Sequence, residues 1–365
     1  MVVTYAIPAP DHDSETQLAL RNLSILVGSS RRIVIVTGAG VSRSSGIPDF
    51  RSANGLYSLA KKNTPRTIRG SDLFDASIFR DGHSASLFYS SIAELKAVID
   101  KAKPSPTHHF MKAMLNEGRL LRVYTQNIDG FETQCGLKSN AWIEPPSSPF
   151  PLRTVIDSNA INVVQLHGDI HRVRCIICSA SYHSSQEFAN VFRSGGAPKC
   201  PECEKRCADR IARSARPIRT GTLRPDIILY NESHPDSDDV SAFCELDLVR
   251  RPDLLLVMGT SLKAYGIKTL VKDFARAVHG NSSGRNKPQP RVIFVNETPP
   301  LAEWRKVFDV HISGTTDDWV KLVRENRSIE CKPTDGTVLQ HSYIADSMEP
   351  RQLYITHASE CQRTR

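Results

Sequence analysis

Four short stretches of this chain place polar or small residues directly after apolar runs. One run ends in Leu166-His167-Gly168-Asp169. A histidine in such a place can accept a proton near neutral pH, although a lone histidine is more often a structural group. Its neighbours decide between the two readings. The run "RLLRVY" ends in Thr125-Gln126-Asn127-Ile128-Asp129-Gly130. Those amides and that carboxylate could bind a carboxamide and position a water; the plain alternative is an ordinary polar turn. The run "RRIVIV" ends in Thr37-Gly38-Ala39-Gly40-Val41-Ser42, and "DLLLVM" ends in Gly259-Thr260-Ser261. Small residues there let backbone N–H groups approach a pyrophosphate. Asn296 and Glu297 close a further run, "RVIFV", and are placed to hold the hydroxyls of an adenosine ribose.

The first glycine turn departs from the dinucleotide fingerprint, which needs a third glycine three residues after the second. Arg43 stands there, the next glycine is Gly46, and Ile47-Pro48-Asp49-Phe50-Arg51 follows. A proline, an acid, an aromatic and an arginine in succession have no place in a plain dinucleotide turn.

The chain has nine cysteines, and four of them form two C-x-x-C pairs, Cys175 with Cys178 and Cys200 with Cys203. Four thiolates make a closed tetrahedral zinc site with no open position for chemistry, so one structural zinc is expected. Cys207, in "CPECEKRC", is an alternative ligand that the spacing leaves open. His108, His109, His171 and His234 lack the convergence that singles out His167 and are read as structural.

The elements that must position these groups follow from pattern. Residues 14–27 read as an opening helix, capped by Ser14, with Leu18, Ile25 and Leu26 on one face. The segment "SASLFYSSIAELKAVIDKA" carries Leu87, Phe88, Ile92, Leu95 and Ile99 at helical spacing, and "PSPTHHFMKAMLNEG" is a second helix of the same region. "INVVQLHGDI" and "RPDIILYNE" read as single strands, and "KDFARAVHG" as a helix. Strands that repeatedly end in polar signatures, interleaved with helices, make an α/β fold with a doubly wound, Rossmann-like parallel sheet. In such sheets the ligand sits at the carboxyl ends of the strands, so all five signatures should meet in one crevice. The expected smaller module combines a helical insertion with the four-cysteine zinc-binding insertion. The corresponding division is an extension at 1–13, a catalytic domain at 14–328 and a polar tail at 329–365. Within that domain the large lobe takes about 14–51, 119–170 and 225–328, the helical insertion 52–118 and the zinc module 171–224. Residues 138–160, rich in proline and serine, read as an inserted surface loop.

The bulk properties set the frame. With 365 residues, 40% hydrophobic and 24% charged, the chain is expected to pack as a soluble globule. No apolar run has the length of a membrane span, and the first residues resemble neither a signal nor a transit peptide, so no membrane is expected and the cytosol or nucleus is the default. The net charge of +8 is either a solvated surface or the mark of a phosphate-bearing partner. Arg206, Arg210, Arg213, Arg216, Arg219 and Arg224 cluster in one segment and would contact nucleosomal DNA on the second reading.

Taken in order, "GAGVSRSSGIPDFRS", "TQNIDG", "LHGD", the paired C-x-x-C, "GTSL" and "VN" resemble the sirtuin family of NAD-dependent protein-lysine deacylases, from about residue 32 to 319. "SANGLYSL" and "GTSLKAYGIKTLVKDFARAVH" look most similar to the fungal branch that deacetylates a lysine of the histone core. The resemblance implies that NAD is a consumed co-substrate and that acetylated protein, histone in that branch, is the acyl donor. The products it implies are nicotinamide, free lysine and O-acetyl-ADP-ribose. By the same resemblance His167 activates a ribose hydroxyl, Asn127 orders the ribose and a water, and Asp129 binds the carboxamide with help from the Ile128 backbone. The resemblance also implies that Asp49, Phe50 and Arg51 form a loop closing on ribose and phosphate, with Phe50 over the sugar and Arg51, Ser42 and Ser261 at phosphate; an enzyme that breaks the nicotinamide bond must shield that reactive sugar from water. A peptide strand would add between "YNES" and "KAYG". Asn231 departs from the glycine that the family usually carries there. Two alternatives from other classes are a non-catalytic chromatin adaptor that binds NAD or ADP-ribose, and a mono-ADP-ribosyltransferase. The implied location is the nucleus, with the cytoplasm as the alternative.

Overall fold

In the computed structural model the described residues are 2–8, 13–48, 72–140, 160–281 and 289–330. Asp49, Phe50, Arg51, most of the 138–160 segment and nearly all of the polar tail lie outside them.

Seven strands form a wholly parallel sheet: β1 Val3–Ala6, β2 Ile33–Thr37, β3 Leu120–Thr125, β4 Val163–Gln165, β8 Leu254–Met258, β9 Val292–Val295 and β10 Val310–Ser313. Their order is β1-β10-β9-β8-β2-β3-β4. From β2 the chain steps outward through β3 to β4; from β8 it steps the other way through β9 and β10. The reversal lies between β2 and β8, and a crevice opens at such a point beyond the carboxyl ends of the strands.

The central strands are apolar on both faces because helices cover both. Every residue of β2 and of β8 is buried. Ile33 and Ile35 pack with Leu20, Leu23 and Val27 of the Ser14–Ser29 helix and with Trp319 of the Thr316–Glu330 helix. Val34 and Val36 face the opposite layer, with Phe274 of the Tyr265–Gly280 helix, Phe243 of the Ser237–Val249 helix and Trp304. Each fully buried aliphatic side chain contributes roughly 1.5–3 kcal/mol. A buried ion pair ties the sheet to the second layer: Arg122 of β3 donates to Asp247 at 2.5 and 3.0 Å, and the Tyr124 hydroxyl donates to the same carboxylate at 2.7 Å.

Three further strands, β5 Gly168–Cys175, β6 Ser181–His183 and β7 Leu223–Ile227, form an antiparallel sheet in the order β6-β5-β7. They share a core with the helical insertion. Phe88, Ile92, Leu95 and Ile99 of the Gly82–Ile99 helix pack with Val173, Phe192, Leu223 and three of the paired cysteines. The expected small module, half helical and half cysteine-bearing, is thus a single packed body.

The structure corrects several local expectations. Asp13, not Ser14, caps the first helix by accepting from Thr16 N. The buried face of that helix is Leu20, Leu23, Ser24 and Val27, and Leu18 is exposed. "INVVQLHGDI" is not one strand: β4 ends at Gln165, and β5 begins at Gly168 in the other sheet. Gly168 makes the turn at φ +81°, and a Cβ there would lie 2.1 Å from the Asp226 carbonyl oxygen. The strand in "RPDIILYNE" also belongs to the small sheet. The segment read as an N-terminal extension supplies edge strand β1, paired in parallel with β10.

Candidate active site

The two glycine turns meet backbone to backbone at the β2/β8 switch point. Gly40 N donates to the Gly259 carbonyl at 2.8 Å, and Gly38 N to the Met258 carbonyl at 3.1 Å. A Cβ on Gly40 would lie 2.6 Å from Gly259 Cα, and one on Gly38 2.7 Å from Thr260 Cβ. Only glycine permits this approach, and Gly259 also holds φ +61°. Small residues after these strands therefore let the turns touch, and the Gly38, Gly40 and Gly259 N–H groups are themselves taken by backbone carbonyls.

A cavity of about 850 Å³ opens above them. Its lining includes Gly38, Ala39 and Gly40, then Gln126, Asn127, Ile128 and His167. Gly259, Thr260, Ser261, Asn296 and Glu297 complete the expected set. Ser42 and Asp129 line an adjoining recess with Ala39, Ile47, Pro48, Asn127 and Ile128. The five strand-end signatures thus converge in one place. Asp49, Phe50 and Arg51 fall outside the described residues. The Asn296 amide turns onto Thr298, and the Glu297 carboxylate pairs with Arg43 across the cavity.

His167 has the geometry of a base. Its Nδ1 lies 3.0 Å from the Gln126 carbonyl oxygen, which can only accept. Nδ1 therefore carries the proton, and the neutral ring presents the Nε2 lone pair. Burial holds its pKa below the ordinary histidine value, against the raising effect of the Gln126 carbonyl.

The amides and the carboxylate are linked. Asn127 Nδ2 donates to Ser42 Oγ at 3.2 Å, and Ser42 Oγ donates to Asp129 Oδ2 at 2.7 Å. Phe131 N donates to Asp129 Oδ1 at 3.1 Å. Gln126 Nε2 donates to the Thr37 carbonyl and to Thr260 Oγ1, joining three strand ends. Burial raises the Asp129 pKa, and the Ser42 and Phe131 donors oppose that rise.

Sequence reading left the contacts of several supporting residues open. His171 donates to the Asp129 carbonyl at 2.9 Å, and Asp169 accepts from His171 N at 2.8 Å. Phe74 and Ile227 to Tyr230 wall one side of the cavity. Tyr230 is paired through both its N–H and its carbonyl with Phe74 and Ala76. Asn231 sits at φ +60°, a region asparagine tolerates better than most residues, and donates to Asp75 at 2.5 Å. These contacts join segments far apart in the chain, so no local spacing announces them.

The metal expectation is met by geometry. The thiol sulfurs of Cys175, Cys178, Cys200 and Cys203 lie within 4.8 Å of one another, and Cys207 is not in the group. Ile177 N and Cys178 N both point at Cys175 Sγ at 3.4 Å, as donors toward a thiolate do. The four residues fit a structural zinc, which would hold β5 and the Pro201–Ala212 helix together.

The arginine cluster divides. Arg224 is buried, donating to Glu232 at 2.8 and 2.9 Å, and Arg206 pairs with Glu202. Arg210, Arg213, Arg216 and Arg219 are exposed. Among the described residues no helix is long and apolar enough to cross a membrane.

A family model described as the Sir2 family matches residues 38–144 and 155–266. The chain is 36% identical over 315 residues to the NAD-dependent histone deacetylase HST3 of Candida albicans, covering 85% of this chain and 63% of that protein. It is also 36% identical to HST3 of Saccharomyces cerevisiae, covering 86% and 68%. The NAD-dependent protein deacetylase hst4 of Schizosaccharomyces pombe is 34% identical, covering 84% and 69%. The chain thus spans about two thirds of the length of these relatives. In fold it is similar to a solved Sir2 homologue in complex with NAD, with a TM-score of 0.59, 21% identity and coverage of 84% of this chain and 94% of that one.

Proposed function

The chain belongs to the Sir2 family, and from that premise we propose that it is an NAD-dependent protein-lysine deacetylase acting on acetylated histone. The observation that carries the reading is the position of His167. With Nδ1 tied to the Gln126 carbonyl and Nε2 left as the lone pair, His167 lines the cavity that both glycine turns and Gln126 to Ile128 also line. A pure binder has no need of such a base.

The residue roles follow from chemistry. The turns Gly38–Gly40 and Gly259–Ser261, with Ser42, would hold a pyrophosphate through N–H groups other than those of Gly38, Gly40 and Gly259, which backbone carbonyls already take. Asp129 and the Ile128 backbone, in the recess, take a carboxamide; Asn127 orders the ribose. His167 accepts a proton from a ribose hydroxyl. Asp49, Phe50 and Arg51 cover the sugar, while Asn296 and Glu297 meet the adenosine ribose once Glu297 leaves Arg43. Holding acetyl oxygen and ribose carbon in line supplies much of the rate, because the acetyl oxygen is a poor nucleophile.

Histone as the substrate is supported by the names of the relatives, which also favour work in the nucleus. The exposed Arg210, Arg213, Arg216 and Arg219 form the surface available to nucleosomal DNA. That contact predicts salt-dependent nucleosome affinity, weakened by replacing the four with alanine; unchanged affinity refutes it.

The functional test is to incubate the protein with NAD and acetylated histones. Nicotinamide release matched by loss of acetyl groups supports deacetylation. Nicotinamide release with ADP-ribose left on protein makes it a transferase, and binding without turnover makes it an adaptor.

A further inference from the structure

Beneath the recess lies a second polar group, wholly buried, that the proposed chemistry does not use. His108, on the Pro106–Asn116 helix, is 0% exposed, and Glu132, in the short Phe131–Gln134 helix, is 1% exposed. One ligand-capable atom of each lies within 4.8 Å of the other and of a carboxylate oxygen of Asp129. In these two side chains His108 Nε2 and Glu132 Oε2 have no hydrogen-bond partner among the described residues. An orphaned buried polar atom forfeits its hydration with no return, so two at one spot point to something between them.

The proton positions can be deduced. Ser105 N lies 3.1 Å from His108 Nδ1, and a backbone N–H can only donate. Nδ1 is therefore a lone pair, and Nε2 carries the hydrogen. Burial keeps this ring neutral, with its pKa pushed down to about 3. Asp129 already accepts from Ser42 and Phe131 and is the better-supported anion of the two carboxyls. Glu132 has weaker support, from Thr37 Oγ1 at 3.4 Å from its Oε1 and from the Thr125 hydroxyl. Burial and the Asp129 charge push its pKa up to about 8, so it keeps its proton at neutral pH. Two donors, His108 Nε2–H and the Glu132 hydroxyl, then confront one carboxylate.

One water suits such a group: at the upper limit of 4.8 Å between the three atoms, the centre of the triangle lies about 2.8 Å from each, a hydrogen-bond length. A zinc ion would need its ligands at about 2.0–2.2 Å and a bare histidine nitrogen, whereas His108 Nδ1 is taken by Ser105 N and Nε2 carries the hydrogen. We propose that Glu132 and His108, with one buried water, form a donor cradle that fixes the Asp129 carboxylate, which makes Glu132 a positioning residue for the nicotinamide-binding recess. This inference rests on Asp129 being the carboxamide ligand. The same carboxyl reaches the loop from below: Thr37 donates to Thr125 Oγ1 at 2.9 Å, and Thr125 Oγ1 accepts from Asn127 N at 3.2 Å.

The test compares Glu132→Gln, a neutral isostere that keeps a donor, with Glu132→Leu, which removes it. NAD affinity by calorimetry, kcat/KM for NAD, inhibition by nicotinamide, KM for the acetylated peptide and metal content are measured for each. The cradle predicts that Gln stays within about threefold of the parent throughout. Leu is expected to weaken NAD and nicotinamide binding by about 30-fold or more, leave the peptide KM within about twofold, and retain one zinc per chain. Should the Leu variant not fold, Glu132→Asp, whose carboxyl falls short of the gap, takes its place with the same expectation. The proposal is overturned if Gln loses as much as Leu, if Leu behaves as the parent, if peptide KM changes with the rest, or if a second metal ion is found and is lost on substitution. A parent protein that binds NAD without turnover would sink the deacetylase reading alone, because the NAD affinities still read the cradle.

Discussion

Gly259→Ala tests the two-turn architecture at its tightest point. Gly259 holds φ +61°, where an L residue costs about 1–2 kcal/mol. The added Cβ would lie 2.6 Å from Val41 N, 2.8 Å from Gly40 C and 2.9 Å from Gly40 Cα. Those are backbone atoms with no rotamer to escape into. Ordinary contact begins at 3.4 Å, so the turns must part by about 0.5–1 Å. Strain of this kind adds about 1–3 kcal/mol, for a total near 2–5 kcal/mol. The functional effect should be larger than the loss of stability. Displacing phosphate donors by about 1 Å can reduce kcat/KM by about 100-fold. Steady-state kinetics with NAD varied at saturating acetylated peptide should show that fall in kcat/KM for NAD, with the peptide KM unchanged and the variant still folded by circular dichroism. A folded variant with kcat/KM for NAD within about threefold of the parent would refute the claim that these turns hold the dinucleotide.

The four-cysteine site should carry one zinc per chain; Cys200→Ser should lose it and unfold the small module, whereas Cys207→Ser should keep both metal and activity. Structural zinc contributes on the order of 10 kcal/mol, so a strong chelator should have the same effect as the Cys200 variant, read by metal analysis and thermal melting. Asp247→Ala removes the carboxylate that neutralises the buried Arg122 guanidinium and should cost about 3–5 kcal/mol in urea denaturation, with little change in activity per folded molecule. His108 and Glu132 set opposite pH limits. His108, folded near 3 and about 6.5 when unfolded, contributes stability that is complete above pH 6.5 and is lost as pH falls toward 3, at up to about 1.4 kcal/mol per pH unit. Glu132, folded near 8 against 4.5 unfolded, makes stability fall as pH rises from 4.5 to 8, so Glu132→Gln should gain on the parent at pH 8 and not at pH 4.5.

The crevice was legible because each strand that feeds it is a largely apolar run that stops at small or polar residues. A parallel sheet buried on both faces imposes that pattern, and the strands' carboxyl ends face one way. The cysteine pairs were legible for a similar local reason, and the structure also excludes Cys207 from the group. Edge strand β1 and its neighbour β10 escaped because each is short and mixes polar with apolar residues. The first helix was read one face out because Leu18 and Leu26 look as apolar as Leu20 and Leu23, and only packing against β2 and Trp319 distinguishes them. The split of "INVVQLHGDI" turns on Gly168, whose positive φ sends the chain into a second sheet. The cradle under Asp129 is invisible to any spacing rule, since His108 and Glu132 come from separate elements and meet only when both pack beneath the recess.

The most direct test of the account is a comparison of the parent protein with His167→Ala, using NAD and acetylated histone. The parent should release one nicotinamide for each acetyl group removed and form O-acetyl-ADP-ribose in equal amount. His167→Ala should bind NAD within a few-fold of the parent and lose deacetylation by at least about 100-fold. Deacetylation by the variant at a rate near that of the parent, or acetyl loss by the parent uncoupled from nicotinamide release, would contradict the assignment of His167 as the base of an NAD-consuming reaction.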